Sequence, residues 1–347
     1  MNTKYVHIGL PKNLSTTLQR DYFDKHPEIY HLGVGIGSNI DYINPKIASA
    51  CENHFQYSKN FSYRKQKDSI KSSFNQEFIK FKADHTKKAC GISLELLSFT
   101  FTPDQIEIEE KAKRVFEAFG KDTKIILIVR EQFSLLESLY KEAIKIGYYG
   151  GYLDYLEYIY YSRDRNFIFD FQYDYLFEIY SKYFGYNNVE VLVIENFRNK
   201  NGDLKFVNNK CKLIQKFDEI LKLNNFDISL NHHNEPLSLK ELHNMLELNR
   251  KNIHGLGNQS FSTATNFHRL KDYFSNELGI EVKNSILFKD ARIKNNNIKL
   301  AKKNSKKISI EFEYPPNIKN FLCKLFYESN TNFEKLANVK LPSSYFK

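Results

Sequence analysis

The chain has 347 residues, 41% of them hydrophobic and 15% aromatic, enough for one large core or two small ones. Its formal charge of +10 suits a nucleic acid, an anionic membrane surface or a phosphorylated small ligand equally, so charge alone selects no partner. Cys51, Cys90, Cys211 and Cys323 lie far apart with no CxxC pair, which argues against a disulfide framework or structural zinc.

The opening residues carry no charged-then-apolar leader pattern, and the first strand begins too early to leave room for an anchor. No run of about 18 apolar residues marks a membrane span. A cytoplasmic protein without a transmembrane segment is expected.

In chain order, four apolar runs rich in β-branched residues read as buried parallel strands: Tyr5 to Leu10, Ala89 to Leu94, Lys124 to Val129 and Val189 to Ile194. Helical patterns lie between them, over Thr16 to His26, Pro103 to Phe119 and Gln132 to Ile146. This alternation predicts an α/β fold of three layers, a central parallel sheet flanked by helices, with ligands at the carboxyl ends of the strands. Residues 34–88 are polar and weakly periodic, and read as a helical insertion. Residues 148–186 are dense in Tyr and Phe, which suits core packing or an aromatic wall for an acceptor. Helices are expected again from about 235 to the end. Between Lys289 and Lys307 stand eight Lys or Arg and one Asp, read as a solvated basic face.

The first strand runs into "GLPKNLSTTLQ", which places Lys12 and the hydroxyls of Ser15, Thr16 and Thr17 between a strand and a helix. Such a turn offers backbone N–H groups and partial positive charge to an anion, lysine adds a full charge, and hydroxyls donate to phosphoryl or sulfuryl oxygens. The Walker A spacing is absent, because the lysine precedes the hydroxyls. A second segment, "KIILIVREQFSLLESLY", is a buried strand ending in Arg130, followed by a helix carrying Ser138. An arginine at that strand end points into the ligand crevice and can grip a phosphate bidentately.

Together the two segments resemble the sulfotransferases that use 3′-phosphoadenosine-5′-phosphosulfate. The family's first signature, roughly P-K-x-G-T-T-x-L-Q, is matched by "PKNLSTTLQ", and its strand-final Arg followed by S-x-Y by Arg130, Ser138 and Tyr140. The stretches around Glu195, around Ser238 and Asn249, and "FYESNTNFEKL" are similar to bacterial carbohydrate-type members, so the resemblance spans nearly the whole chain, as one sulfotransferase-like domain. It implies that Lys12, Ser15, Thr16 and Thr17, with Asn13, hold the 5′-phosphosulfate, and that Arg130 and Ser138 hold the 3′-phosphate. It implies the phosphosulfate as donor, 3′-phosphoadenosine-5′-phosphate as product, and no metal. The acceptor would be a hydroxyl of a glycan, glycolipid or small metabolite. Leu14 departs from the family, which has Gly or Ala there; its side chain is expected to turn into the core as the first of a Leu14, Leu18, Tyr22 stripe.

Sulfuryl transfer needs an aligned acceptor oxygen, a base for its proton, and positive charge on the departing phosphate. Lys12 is expected to supply the charge, and Glu95, at the end of the second predicted strand in "GISLELLS", to act as base. His26 and His31 are rival bases. Two other readings stand beside this one: a kinase that uses Mg-ATP on a similar hydroxyl, and a non-enzymatic polyanion binder. The second lacks any recognition-helix, RNP or finger pattern, so no nucleic-acid partner is expected.

Overall fold

The computed structural model describes residues 2–34, 42–101, 105–145, 147–208, 210–224, 226, 230, 237–251, 299–301 and 310–347. The predicted basic face lies almost wholly outside the described residues.

Five strands, β1 (Thr3–His7), β2 (Ile29–Val34), β3 (Ala89–Ser93), β4 (Thr123–Val129) and β5 (Val189–Val193), form one parallel sheet in the order β2-β3-β1-β4-β5. The fold is α/β, with helices on both faces of that sheet. Every residue of β3 is buried, and in β4 all but Lys124, as continuous apolar runs demand of strands covered on two sides. The helices are α1 (Ser15–Thr17), which continues in π-helical turns over Leu18–Phe23, α2 (Pro45–Ser49), α3 (Asn60–Ala83), α4 (Ile108–Phe119) and α5 (Gln132–Lys145). After these come α6 (Tyr152–Tyr161), α7 (Tyr173–Phe184), α8 (Lys212–Leu221), α9 (Leu239–Lys251) and α10 (Pro316–Ala337).

Alternation along the strands divides the apolar side chains between two cores. On one face Val6, Ile8, Ile92, Ile125, Leu127 and Val129 pack with residues of α3, α4, α5, α7 and α10. On the other, Tyr5, Ala89, Ile126, Ile128 and Leu192 pack with Leu18, Tyr22 and Phe23 and with Leu213, Ile214 and Phe217 of α8. The chain fills one side of β1 with β2 and β3, then crosses to place β4 and β5 on the other. In open α/β sheets such a reversal is where ligands bind, which here is the carboxyl end of β1.

Two features differ from the sequence reading. Residues 29–34 form β2, an edge strand that the sequence reading lacks; Gly33 there has φ of 122°, and the pairing with β3 slips between His31 and Val34. His31 is therefore a strand residue. Its ring stacks on Phe23 and Tyr5 and is hydrogen-bonded to the Tyr5 hydroxyl at 2.8 Å, and burial pushes its pKa down to about 3. The first helix is also wider than expected. Its turns close five residues apart, as in Asp24 N donating to Gln19 O at 3.1 Å, and this buries Leu18, Gln19, Asp21, Tyr22 and Phe23 together. The predicted helix from Pro103 begins at Ile108.

The aromatic segment is mostly core: Tyr152, Tyr155, Phe167, Phe171, Tyr173 and Tyr180 are buried. A cleft of about 400 Å³ remains beside Tyr148, Tyr149, Tyr158 and Arg250.

His26 is likewise excluded as a base for the crevice, because it stands before β2 at the amino end of the sheet. Its Nε2 is 3.6 Å from Asp218, which accepts a 2.8 Å bond from the Tyr22 hydroxyl. Burial pushes the Asp218 carboxyl up to about 6 and the His26 imidazole down. Asp218 holds its proton more tightly folded than unfolded. Its contribution to stability is thus full below 3.8 and lost as pH rises through about 6. Asp218→Asn, which keeps an acceptor for Tyr22, should gain on the wild type as pH rises; urea midpoints at about pH 4 and about pH 8 check this, and a pH-independent difference would contradict it.

Candidate active site

The loop between β1 and α1 is held from below. Leu10 N donates to Ile128 O at 3.1 Å, and Asn13, fully buried, donates from its side-chain amide to the same carbonyl at 3.0 Å. Two non-glycine residues take left-handed backbone, Lys12 at φ 63° and Leu14 at φ 66°, each a conformation that costs about 1–2 kcal/mol. Leu14 packs beside Leu18 and Tyr22 on the second core, as the predicted stripe requires. Its burial offsets the backbone cost that glycine would have avoided.

Beneath the loop lies a polar network in which only Gln19 falls within the quoted signature. His7 Nδ1 is hydrogen-bonded to Ser93 Oγ at 2.7 Å, and Gln19 Nε2 donates to Ser93 O and Oγ at 3.2 and 3.1 Å. Burial first, and the neighbouring His31 second, push the His7 imidazole down to about 3. A Cβ on Gly9 would stand 2.7 Å from His7 Nε2, so a larger residue there would have to push the buried imidazole aside. His7 is neutral, and it shapes the floor of the loop.

Above the loop the charged groups meet. Arg130, immediately beyond β4, donates from Nη1 to Lys12 O at 3.3 Å and from Nε to Ser134 Oγ at 3.1 Å. Lys12 Nζ lies 2.6 Å from Glu142 Oε2, and both side chains are 31% exposed. Ser134, Ser138 and Glu142 are spaced four apart, so one face of α5 passes from Arg130 to Lys12 with Ser138 between them. Sequence reasoning named Ser138 and missed Ser134 and Glu142. The repeat of four was the signal that could have found them.

The remaining predicted residues are distributed as follows. Ser15 is 3% exposed and its hydroxyl lacks a partner among the described residues, while Thr16 and Thr17 are half-buried. Leu14, at the N-cap of α1, offers no side-chain cap. The amide nitrogen of Asn13 is engaged by the fold, while its Oδ1 is buried without a hydrogen-bond partner among the described residues. Glu95 opens the turn Glu95–Leu97 beyond β3, half-buried. That turn touches the Lys12 loop, since Ser98 Oγ donates to Gly9 O at 3.5 Å and Leu94 N to His7 O at 2.9 Å. Among the described residues, no three His, Cys, Asp or Glu side chains are grouped to hold a metal ion, and no helix is long and apolar enough to cross a membrane.

The junction that presents Arg130 is fastened by three parts of the chain. Glu131 caps α5 with its carboxylate, accepting from Phe133 N and Ser134 N at 2.8 Å each. Glu195, beyond β5, accepts from Glu131 N at 3.0 Å and from the Tyr345 hydroxyl at 2.7 Å. Tyr173 donates to Arg130 O, and Gln132 exchanges side-chain bonds of 2.7 and 3.2 Å with Asn330 of α10.

One solved structure follows this chain from end to end. It is the crystal structure of a sulfotransferase from Alicyclobacillus acidocaldarius, 12% identical, with 100% of each chain covered and a TM-score of 0.49. No protein-family model matches the sequence, and no curated protein matches it.

The geometry can receive an anion with at least two negative oxygens, one reached by Lys12 and one by Arg130. Such a ligand must displace Glu142 from Lys12. Half-exposed pairs of this kind are worth about 0.2–1 kcal/mol, so Glu142→Gln should tighten binding of a phosphate-bearing nucleotide by about 1.4- to fivefold in calorimetric titration. Weaker binding in that variant would show that Glu142 contacts the ligand favourably instead.

Proposed function

We propose that the protein is a sulfotransferase that moves a sulfuryl group from 3′-phosphoadenosine-5′-phosphosulfate to a hydroxyl of a glycan, glycolipid or small metabolite in the cytoplasm, without a metal. The observation that carries this reading is the meeting of Lys12 and Arg130 at the carboxyl end of the central strand, with Ser138 on the helix face between them. The donor carries two anionic groups, and the crevice offers two cations. The partnerless buried hydroxyl of Ser15 fits the same guest, since an anionic oxygen would give it an acceptor.

When bound, the donor supplies the activated sulfuryl group; the residues of the chain do the rest. Lys12, once drawn from Glu142, places its ammonium on the phosphate that departs, with Ser15, Thr16 and Thr17 beside it. Arg130 and Ser138 hold the 3′-phosphate. Glu95, on the turn that touches Gly9, is the candidate to take the acceptor's proton, a role that requires hydrogen-bond reach of the hydroxyl.

Lys12→Ala should abolish transfer and leave the circular dichroism spectrum and thermal midpoint unchanged. Arg130→Ala should weaken 3′-phosphoadenosine-5′-phosphate by about 1.5–3 kcal/mol, the worth of a charge-assisted contact. Titration of the wild type with that nucleotide, with AMP and with Mg-ATP tests the reading directly. Binding that requires the 3′-phosphate and ignores Mg²⁺ is expected. A preference for Mg-ATP would put the kinase reading first.

A further inference from the structure

Arg198 is a half-buried arginine whose guanidinium has no hydrogen bond and no ion pair with the described residues. Its backbone is fixed. Arg198 N donates to Glu195 O at 3.2 Å, and the residue forms an antiparallel bridge with Leu204. It stands one residue past the turn Ile194–Phe197 that ends β5, while Arg130 stands one residue past β4, and the two strands are paired in register with Val129 opposite Val193. The two exits touch, because Glu131 N donates to Glu195 across them.

The two carboxylates on these strand exits, Glu131 and Glu195, are committed elsewhere. Glu195 serves Glu131 N and the Tyr345 hydroxyl, and Glu131 caps α5 with both oxygens. Among the described residues Arg130 itself is bonded only to a carbonyl and a hydroxyl, neither of which carries charge. Burial first and the like charge of Arg130 second push the Arg198 guanidinium below its ordinary pKa, with Glu195 opposing them. Two guanidinium groups that repel each other in a half-buried place are costly unless a strong acceptor lies between them. A phosphate monoester, with three oxygens and close to two negative charges, meets both planar forks at once.

We propose that Arg198 is a second arginine of the anion site, forming with Arg130 a clamp for a phosphate monoester at the ends of β4 and β5. The assignment of that phosphate as the 3′-phosphate of the donor rests on the sulfotransferase reading. The clamp itself rests on the two strand exits.

The test is calorimetric titration of the full chain and of Arg198→Ala and Arg198→Lys with 3′-phosphoadenosine-5′-phosphate and with AMP. Arg198→Ala should weaken the bisphosphate about tenfold or more, as loss of a charge-assisted contact does, and shift AMP by less than about twofold. Arg198→Lys should fall between, because it keeps charge and loses the fork. The double variant with Arg130→Ala should lose less than the sum of the single losses, since both arginines serve one group. A thermal midpoint in Arg198→Ala equal to or above that of the wild type is expected; a purely structural arginine would lower it. Bisphosphate affinity in Arg198→Ala within about twofold of the wild type overturns the clamp. If the wild type ignores the bisphosphate, the sulfotransferase reading falls, and inorganic phosphate then decides the clamp. Its thermal upshift must be present in the wild type and lost in Arg198→Ala, and any other result overturns the proposal.

Discussion

The bond from Arg130 to the carbonyl of Lys12 is the constraint on which the crevice depends. It joins the exit of β4 to the loop after β1, and so sets how far apart the two cations can stand. The loop is already costly, with left-handed backbone at Lys12 and Leu14. It keeps that shape because it is overdetermined: Ile128 takes two bonds from below, Arg130 takes the carbonyl from above, and Leu14 is anchored in the second core. A strained loop held at three points is preorganised, and a ligand that fits it loses little free energy in ordering it.

Residues from the three further stretches singled out in the sequence lie at this junction or along α5. Glu195, from one similar stretch, fastens Glu131. Asn330, from another, locks Gln132 and also donates to Tyr345 O at 2.8 Å. Asn249, from a third, ties α9 to α5 by donating to Ile144 O and Tyr148 O at 2.8 and 2.9 Å, and Ser238 closes a reciprocal cap with Glu241. Residues from distant parts of the chain thus converge on α5, where they hold its first turn, the arginine before it and its far end.

The four strongly apolar strands were legible because burial on both faces leaves continuous runs of β-branched residues, and their observed bounds differ from the expected ones by one to three residues at an end. β2 was not, since "IYHLGV" mixes a histidine and a glycine into an edge position, and His31 then looked like a reactive group. What makes it structural is aromatic stacking with Tyr5 and Phe23, two partners that only tertiary packing supplies. The loop motif named Lys12 and its hydroxyls. The partner of Lys12, 130 positions away in Glu142, could not be read from any local pattern, because ion pairs between distant elements leave no period in the sequence. Nor could a local pattern show that the side-chain amide of Asn13 reaches Ile128 O, on a strand more than a hundred residues away.

The ion pair between Lys12 and Glu142 also bears on the ordinary ions of the cell. A naked lysine in a cationic crevice would be occupied much of the time by chloride or any passing carboxylate. A carboxylate already in place, shared with Lys145 at 3.3 Å, offsets part of the positive charge at that point, so a weak monovalent anion gains less by entering. Only a ligand that brings several charges in the right geometry offsets the loss of that pair, and the protein's overall positive charge can then gather anions to the surface without filling the crevice with the wrong ones.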